Sequence, residues 1–393
     1  MSGIRVKIAF AFALMSALGA SGCAQLAPSI PVGTPQAGVG AGGSATQSGS
    51  ATAKAGASAR AQTSQNPVAE VSAAAKATTQ QLGIQVYWHT SGTTEQVESA
   101  AAKVLNYVVG LGANSVALTF PIYTDGVHPT EVYGVSGSTP SPATLDLVIK
   151  AAQARGLRVM VRPLIDETNI MDEAGDWRGS IKPKSVSTWF ASYQSFITPY
   201  LRLAQRDSTN FFDLGVELDS LVSYQTEWNE LDAYAAGIYH GELDYGDNWS
   251  SWQEGGSYQP AAHIGVDAYP DVDLSDDASV AELTTAWEDW LEHRSSSTLR
   301  NTVMQEVGIA AASGSYHHPA AWAEAGHTPV TSIQVNWFTA ACDAAQSLGM
   351  PGIYFWDVDS YAEPSQGATS DTGAFIGRGD QAIKACFASG WSG

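Results

Sequence analysis

The chain has 393 residues, of which 44% are hydrophobic and 15% charged, a composition that fits one large core in a single domain of about 250 to 320 residues plus extensions. The 39 acidic residues outnumber the 19 basic ones, and the resulting net charge of −20 argues against nucleic acid or an anionic membrane surface as a partner and favours a neutral ligand. The 12 Trp, 15 Tyr and 11 Phe residues provide flat apolar faces that suit ligand stacking as well as core packing.

The N-terminal segment has the form of an export signal. Residues 1–22 combine the basic Arg5 and Lys7 with a short apolar run and small residues before Cys23, and the run is too short to span a membrane. Small residues directly before a cysteine resemble the bacterial lipoprotein signal, so we predict lipidation of Cys23, with ordinary secretion after cleavage nearby as the alternative. We therefore expect an exported bacterial protein, anchored by lipid at the cell surface or secreted, whose contact with a membrane is limited to that anchor.

Residues 23–79 consist mainly of Ala, Gly, Ser, Thr, Gln and Pro, with almost no large apolar residues and no periodicity. Such a segment cannot bury enough surface to offset the entropy of ordering it. We predict a disordered tether, followed by a folded domain at residues 80–393.

Within that domain, short apolar runs alternate with amphipathic patterns. The runs predict strands near residues 83–88, 115–120, 157–162, 211–215, 242–245, 263–268, 303–306 and 352–356. Helices are predicted near residues 94–110, 141–155, 185–206, 224–239, 280–293 and 330–348, with a closing helix that ends near 387. Pro163 should end the third strand, and the Gly-rich segment after Trp252 should leave the fifth unit without a good helix. This alternation predicts an α/β fold, a single-domain (β/α)8 TIM barrel.

Two predicted strands end at a glutamate. FFDLGVELDS at 211–220 presents Glu217 just past Gly215, and the run in RNTVMQEVGI at 300–309 ends at Glu306. Because barrel strands deliver functional side chains to their C-terminal ends, both carboxyl groups should face one cleft. Asp219 should point elsewhere and cap the following helix.

Aromatic and polar residues follow the other strands. Glycoside hydrolysis needs one group that protonates the leaving oxygen and one that attacks or activates water, while aromatic rings stack on sugars and polar groups bind hydroxyls. We therefore predict that Glu217 and Glu306 are catalytic, that Trp356 forms the floor under the cleaved sugar and that Tyr269 donates a hydrogen bond to Glu306. The predicted substrate-binding residues are Trp88, Arg162, Trp177, Arg178, Asn248, Trp249, Tyr269 and Trp356.

Eight segments, in order along the chain, resemble glycoside hydrolase family 113. They are VMVRPLID at 159–166, WRGSI at 177–181, WFASYQSFI at 189–197, FFDLGVELDSL at 211–221, HGELDYGDNW at 240–249, IGVDAYPDV at 264–272, QEVGI at 305–309 and GIYFWDVD at 352–359. The resemblance implies a retaining endo-β-1,4-mannanase with its acid/base after the fourth strand, at Glu217, and its nucleophile after the seventh, at Glu306. The chain has Val216 where the wider clan usually has Asn, and Arg162 where the family often has lysine.

A retaining mechanism requires carboxyl groups about 5 to 5.5 Å apart and a nucleophile of low pKa, here Glu306. The alternatives are a β-glycosidase of the same clan acting on glucan, xylan or an N-acetylated sugar, and a non-catalytic carbohydrate-binding surface lipoprotein. Endo or exo action depends on whether loops such as 123–142 and 246–262 close one end of the cleft.

Other chemistries lack sequence support. His317-His318 is the only histidine cluster, and the sequence contains no HExxH motif, glycine-rich phosphate loop or GxSxG elbow. We predict no metal, no cofactor and a monomer. Cys342 and Cys386 fall in helices that are neighbours in a barrel, which predicts a possible disulfide in an exported protein, two separate buried thiols being the alternative.

Overall fold

The structure is a computed structural model, which describes residues 80–89, 91–170, 176–255, 260–321, 328–389 and 391. The predicted signal at 1–22, the lipidation site Cys23 and the predicted tether at 23–79 lie outside the described residues.

The described part of the chain contains eight parallel strands that close into a barrel, each paired with the next along the chain and the last with the first. They are β1 Gln81–Tyr87, β2 Ser115–Ile122, β3 Arg158–Ile165, β4 Phe211–Val216, β5 Glu242–Asn248, β6 His263–Ala268, β7 Met304–Val307 and β8 Gly352–Asp359. The predicted (β/α)8 TIM barrel is confirmed.

Helices lie between successive strands. They are α1 Thr94–Gly110, α2 Pro142–Gln153, α3 Val186–Arg206, α4 Gln225–Ala236, α5 Trp249–Glu254, α6 Val280–Leu291, α7 Ser296–Leu299, α8 Thr331–Ser347 and α9 Asp380–Ala388. The start of α1 shows why the sequence predicts it well, since Thr93 and Gln96 form a reciprocal capping box. As predicted, the fifth unit has only the short α5, which ends at Gly255 in a left-handed conformation with φ 76°.

Strand β3 differs from its prediction because it continues through Pro163 to Ile165. It pairs with β4 only at Met160 and Val161, whereas its pairing with β2 extends to Ile165. Beyond Val161 one edge of β3 therefore has no ladder partner, and a strand edge tolerates a residue without an N–H.

The interior of the barrel changes from apolar to polar toward the C-terminal ends of the strands. Ala117, Met160, Phe211, Val303 and Tyr354 form a separate buried apolar cluster. Two residues later on four of these strands, and so on the same inward face, come the buried polar side chains Thr119, Arg162, Asp213 and Gln305. The packed lower layer thus supports a polar layer directed toward the end of the barrel where functional residues are expected.

A disulfide between Cys342 and Cys386 joins α8 to α9. Both cysteines are buried in the core between the helices and the barrel. Within the described ranges, no helix combines the length and the apolar character needed to cross a membrane.

Candidate active site

The end of β4 holds Glu217 in an unusual backbone conformation, with a φ of 52°. A non-glycine residue in the left-handed region costs roughly 1 to 2 kcal/mol, so neighbouring contacts must stabilise it. The backbone N–H of Glu217 donates to the Gly246 carbonyl of β5 at 2.8 Å, and the Leu218 N–H donates to Tyr245 Oη at 2.8 Å. These bonds fix the point from which the Glu217 side chain leaves the barrel rim.

Two donors hold the carboxylate of Glu217. Arg178 Nη1 donates to Oε2 at 2.5 Å, and Asn248 Nδ2 donates to Oε1 at 2.6 Å. Arg178 is itself held by the Ile165 carbonyl at 2.8 Å and by Glu167 at 3.3 Å, while Asn248 is only 4% exposed. Arg178 and Asn248 therefore position the Glu217 side chain, and their contact with substrate stays a prediction.

Glu306, in β7, is held in the same way from both sides. Its Oε2 accepts a hydrogen bond from Tyr269 Oη at 2.8 Å, the contact predicted from the sequence, and its Oε1 accepts one from Arg162 Nη1. Arg162 also bonds Asp213 at 2.6 Å and Asp267 at 2.7 Å, and its side chain is 0% exposed. The prediction that Arg162 binds sugar is therefore corrected, because no part of its guanidinium reaches the surface of the cleft.

The charges around Arg162 do not balance, since one guanidinium faces the three carboxyl groups of Asp213, Asp267 and Glu306. Burial raises the pKa of Glu306 and the nearby charge of Glu217 raises it further, while Arg162 and Tyr269 oppose the shift. Burial likewise raises the pKa of Asp213 to about 6 and that of Asp267 well above its usual value. This upward direction is opposite to the low pKa expected for Glu306, and Arg162 and Tyr269 are the groups that favour the carboxylate form against the buried anionic surplus.

Trp88 does not belong to the site. Strand β1 ends at Tyr87 rather than at Trp88, and Trp88 is 0% exposed in the hydrophobic core. Since strand side chains alternate between faces, a one-residue error in the strand end changes which ring reaches the barrel mouth. Tyr87 is the ring on the functional side: its Oη donates to Asp166 at 2.8 Å and its ring centroid lies 6.0 Å from that of Trp356.

The other three predicted tryptophans are partly exposed. Trp356 lies near the end of β8, beside a cis peptide to Asp357. The Trp177 ring covers Gly179 so closely that a Cβ there would lie 2.2 Å from it. Trp249 starts α5 and packs against the edge of the core. These rings retain free surface on which a sugar can stack.

Sequence reasoning missed three contributors: Tyr87, Glu167 and Asp213. Asp213 carried a usable signal, because a charged residue in the apolar run FFDLGV must be buried and paired. Glu167 had no such signal, since its role rests on contacts with Arg178 across a loop.

Asp219 does not cap a helix. It begins a one-turn 3₁₀ segment, Asp219–Leu221, while α4 starts at Gln225 with Tyr224 as its N-cap residue. Burial raises the pKa of Asp219 to about 8. It lines a cavity of about 430 Å³ beside β4 and β5, whose walls combine polar and apolar side chains: Ser220, Val222, Ser223, Tyr245, Asp247, Ser250, Ser251, Glu254, Pro260 and Ile264.

The adjacent histidines His317 and His318 each lie near a different carboxylate and do not face one common point. His317 lies 3.6 Å from Asp273 and His318 lies 3.8 Å from Asp271. In the described ranges, no three His, Cys, Asp or Glu side chains are arranged to hold a metal ion.

The fold and the site define a class of protein. A closed (β/α)8 barrel with one glutamate directly after β4 and another near the end of β7, both held by hydrogen-bond donors, is the arrangement of a barrel glycoside hydrolase. The model of Glycoside Hydrolase Family 113 matches residues 86–377, well over half of the chain, and the protein belongs to this family. The resemblance seen in the sequence is confirmed.

Solved structures agree with this assignment at the level of the fold. A GH113 β-1,4-mannanase solved as a complex is 17% identical, with 79% of this chain and 99% of that chain covered and a TM-score of 0.67. The GH113 β-mannanase of Alicyclobacillus acidocaldarius, in complex with ManMIm, is 19% identical, with 78% and 97% covered and a TM-score of 0.62. Comparison with curated proteins found no significant match.

Proposed function

We propose that this glycoside hydrolase is a retaining endo-β-1,4-mannanase. The observation that carries the proposal is that Glu217 directly follows β4, that Glu306 lies near the end of β7, and that donors hold both oxygens of each carboxyl group. Membership of family 113 and the description of two similar solved structures as β-mannanases support mannan as the substrate. The partly exposed tryptophans suit a neutral polysaccharide, as does the net charge of −20.

In the first step, an oxygen of Glu306 attacks the anomeric carbon and forms an ester to the sugar. The bond from that carbon to the glycosidic oxygen breaks, and Glu217 gives its proton to the departing oxygen. Arg162 and Tyr269 hold the Glu306 carboxylate in place until it becomes the neutral ester, and the negative charge is then on Glu217, which has given up its proton. Arg178 and Asn248 keep Glu217 at the leaving oxygen.

In the second step, Glu217 takes a proton from water and the water oxygen attacks the anomeric carbon. The ester bond breaks, Glu306 returns as a carboxylate and Glu217 is again protonated, so the site is restored. Two inversions at one carbon leave the product with the configuration of the substrate. The mechanism requires carboxyl oxygens about 5 to 5.5 Å apart.

We also propose that the protein acts outside the cytoplasm, secreted or held at the cell surface through lipid on Cys23. The disulfide between Cys342 and Cys386 supports an oxidising compartment. Metabolic labelling with a fatty acid should mark the wild-type protein and not Cys23→Ala, and equal labelling of the two would exclude the anchor.

The substrate is tested by release of reducing sugars from mannan, glucomannan, xylan, cellulose and chitin fragments. We expect cleavage of mannan and glucomannan, with internal cuts that shorten the polymer early in the reaction. Activity confined to another polymer would move the assignment to another β-glycosidase of the same clan. Proton NMR of the first product should show the β-anomer, whereas an α-anomer would exclude retention.

Replacing Glu306 by Gln tests the nucleophile. Glu306→Gln keeps the volume of the side chain but removes the attacking carboxylate, so kcat should fall by about 10³-fold or more. The fold should persist, because the change also reduces the anionic surplus around Arg162. The matched control is Asp273→Asn, which neutralises a fully exposed carboxylate and should leave kcat unchanged. Substantial activity in Glu306→Gln would show that the nucleophile is misassigned.

A further inference from the structure

A row of aromatic rings leads from the barrel mouth to the surface. It begins at Trp356 and continues to Tyr87 with ring centroids 6.0 Å apart, to His89 at 5.5 Å and to Tyr361 at 4.9 Å. Tyr361 is 58% exposed and is the most exposed large hydrophobic side chain in the part of the chain that the structure describes. The exposed ring at the end of this row offers an apolar face on which a sugar can stack.

The outer end of the row is held by a single carboxylate. Asp359 accepts a hydrogen bond from the Tyr361 backbone N–H at 2.6 Å and contacts His89 Nε2 at 2.7 Å. The Tyr361 ring meets the His89 ring edge to face, at an interplanar angle of 79°. The side chains of His89 and Asp359 are 31% and 45% exposed, so polar groups remain accessible beside the exposed ring. These contacts pre-organise the platform before a ligand arrives.

The position of the row in the barrel identifies which part of a substrate it meets. In the closed order of eight strands, β8 lies opposite β4. Glu217, at the end of β4, protonates the leaving oxygen, so the departing part of the chain lies on the β4 side. The rings follow β1 and β8, on the far side from Glu217. The part of the glycan that stays attached to the cleaved sugar therefore extends along this row.

We propose that Tyr361, His89 and Asp359 form a distal sugar subsite on the glycone side of the cleavage point. Its ligand is a neutral pyranose of the same β-linked chain, at least one unit beyond the sugar over Trp356. The apolar face of the pyranose stacks on Tyr361, and its hydroxyls bond to Asp359 and His89. This inference rests on the proposed function, and it assigns the enzyme a preference for substrates with several sugars on the glycone side.

The test compares Tyr361→Ala with wild type on manno-oligosaccharides of increasing length, labelled at the reducing end. We expect kcat/KM to fall by about 10-fold, the effect of 1.4 kcal/mol, on the longest oligomers and to be unchanged on the shortest cleaved oligomer. The cleavage position should also move, because binding modes that place a sugar on Tyr361 lose their advantage. Tyr361→Phe keeps the ring and should retain the wild-type pattern. Val109→Ala removes another exposed apolar side chain, 40% exposed near the end of α1, and should behave as wild type.

Activity on the shortest oligomer serves as the control for folding. An equal loss of kcat/KM at every length, or no loss at any length, would overturn the subsite while leaving the proposed mannanase activity intact. If wild type cleaves no β-mannan, the proposed function fails and the subsite falls with it. Titration of Glu306→Gln and Glu306→Gln/Tyr361→Ala with the longest oligomer gives an independent readout, in which the double variant should bind about 10-fold more weakly.

Discussion

The hydrogen bond from Tyr269 to Glu306, the proposed nucleophile, contributes to the pH range in which Glu306 is ionised. The bond from Tyr269 Oη to Glu306 stabilises the ionised carboxylate, whereas burial and the charge of Glu217 destabilise it. Tyr269→Phe should therefore raise the pKa of Glu306 further. Attack requires the carboxylate, so the acidic limb of the kcat/KM profile should move to higher pH by about one unit.

The control for this prediction is another tyrosine with a hydrogen bond of the same length. Tyr200 is 5% exposed, and its Oη donates to the Pro140 carbonyl at 2.8 Å away from the glutamates. Tyr200→Phe should lower stability without moving the acidic limb. An unmoved limb in Tyr269→Phe, or the same shift in both variants, would contradict the role given to Tyr269.

At the residue scale, the sequence predicts which residues lie at the site better than it predicts which groups they contact. Glu217 and Glu306 are recognisable because each follows a short apolar strand, which is a local pattern. Arg178 and Asn248 are recognisable as polar rim residues, yet both bind Glu217, over sequence separations of 39 and 31 residues. Whether an Arg or Asn contacts substrate or another side chain depends on which groups the fold brings near it, and local sequence does not contain that information.

At the element scale, the sequence predicts where strands and helices occur. It predicts less well at which residue a strand ends, and therefore which side chains face the site. α1 coincides with its prediction because a capping box marks its start. Strand β1 ends one residue earlier than predicted. As a result Trp88, predicted at the site, is buried in the core, and Tyr87 is the ring at the barrel mouth. The side-chain period of a strand is two residues, so small boundary errors have large consequences for a site.

The link between α8 and α9 leads to a prediction about stability. The Cys342–Cys386 disulfide closes a segment with a sequence separation of 44. The double variant Cys342→Ser/Cys386→Ser should lose about 2 to 4 kcal/mol of unfolding free energy, measured by urea denaturation. Reductant should weaken the wild type by a similar amount and leave the double variant unaffected. A wild type that is indifferent to reductant would show that the bond contributes nothing to stability.

At the scale of the whole molecule, Arg162 connects separate parts of the barrel. From β3 it bonds Asp213 in β4, Asp267 in β6 and Glu306 in β7. Arg162→Met would fill the space but leave these carboxyl groups buried without a cation. We expect a loss of about 3 to 5 kcal/mol in unfolding free energy, together with the loss of activity.

Urea denaturation at neutral pH measures this effect. Arg206→Met is the control, because Arg206 pairs with Asp207 and Asp146 on the surface with 58% of its side chain exposed. It should leave the midpoint of unfolding unchanged. Equal midpoints for Arg162→Met and the wild type would mean that the carboxyl groups are neutral in the folded protein without help from Arg162.

The sequence by itself determined the class of fold and the two glutamates. Apolar periodicity and capping are local properties, and the strand ends of a barrel necessarily share one face. Only the tertiary structure decided that Arg162, Arg178 and Asn248 serve the glutamates and that Tyr87 replaces Trp88 at the mouth. Those outcomes depend on closure of the barrel, which places side chains from distant strands within hydrogen-bonding distance and forces buried charges to pair.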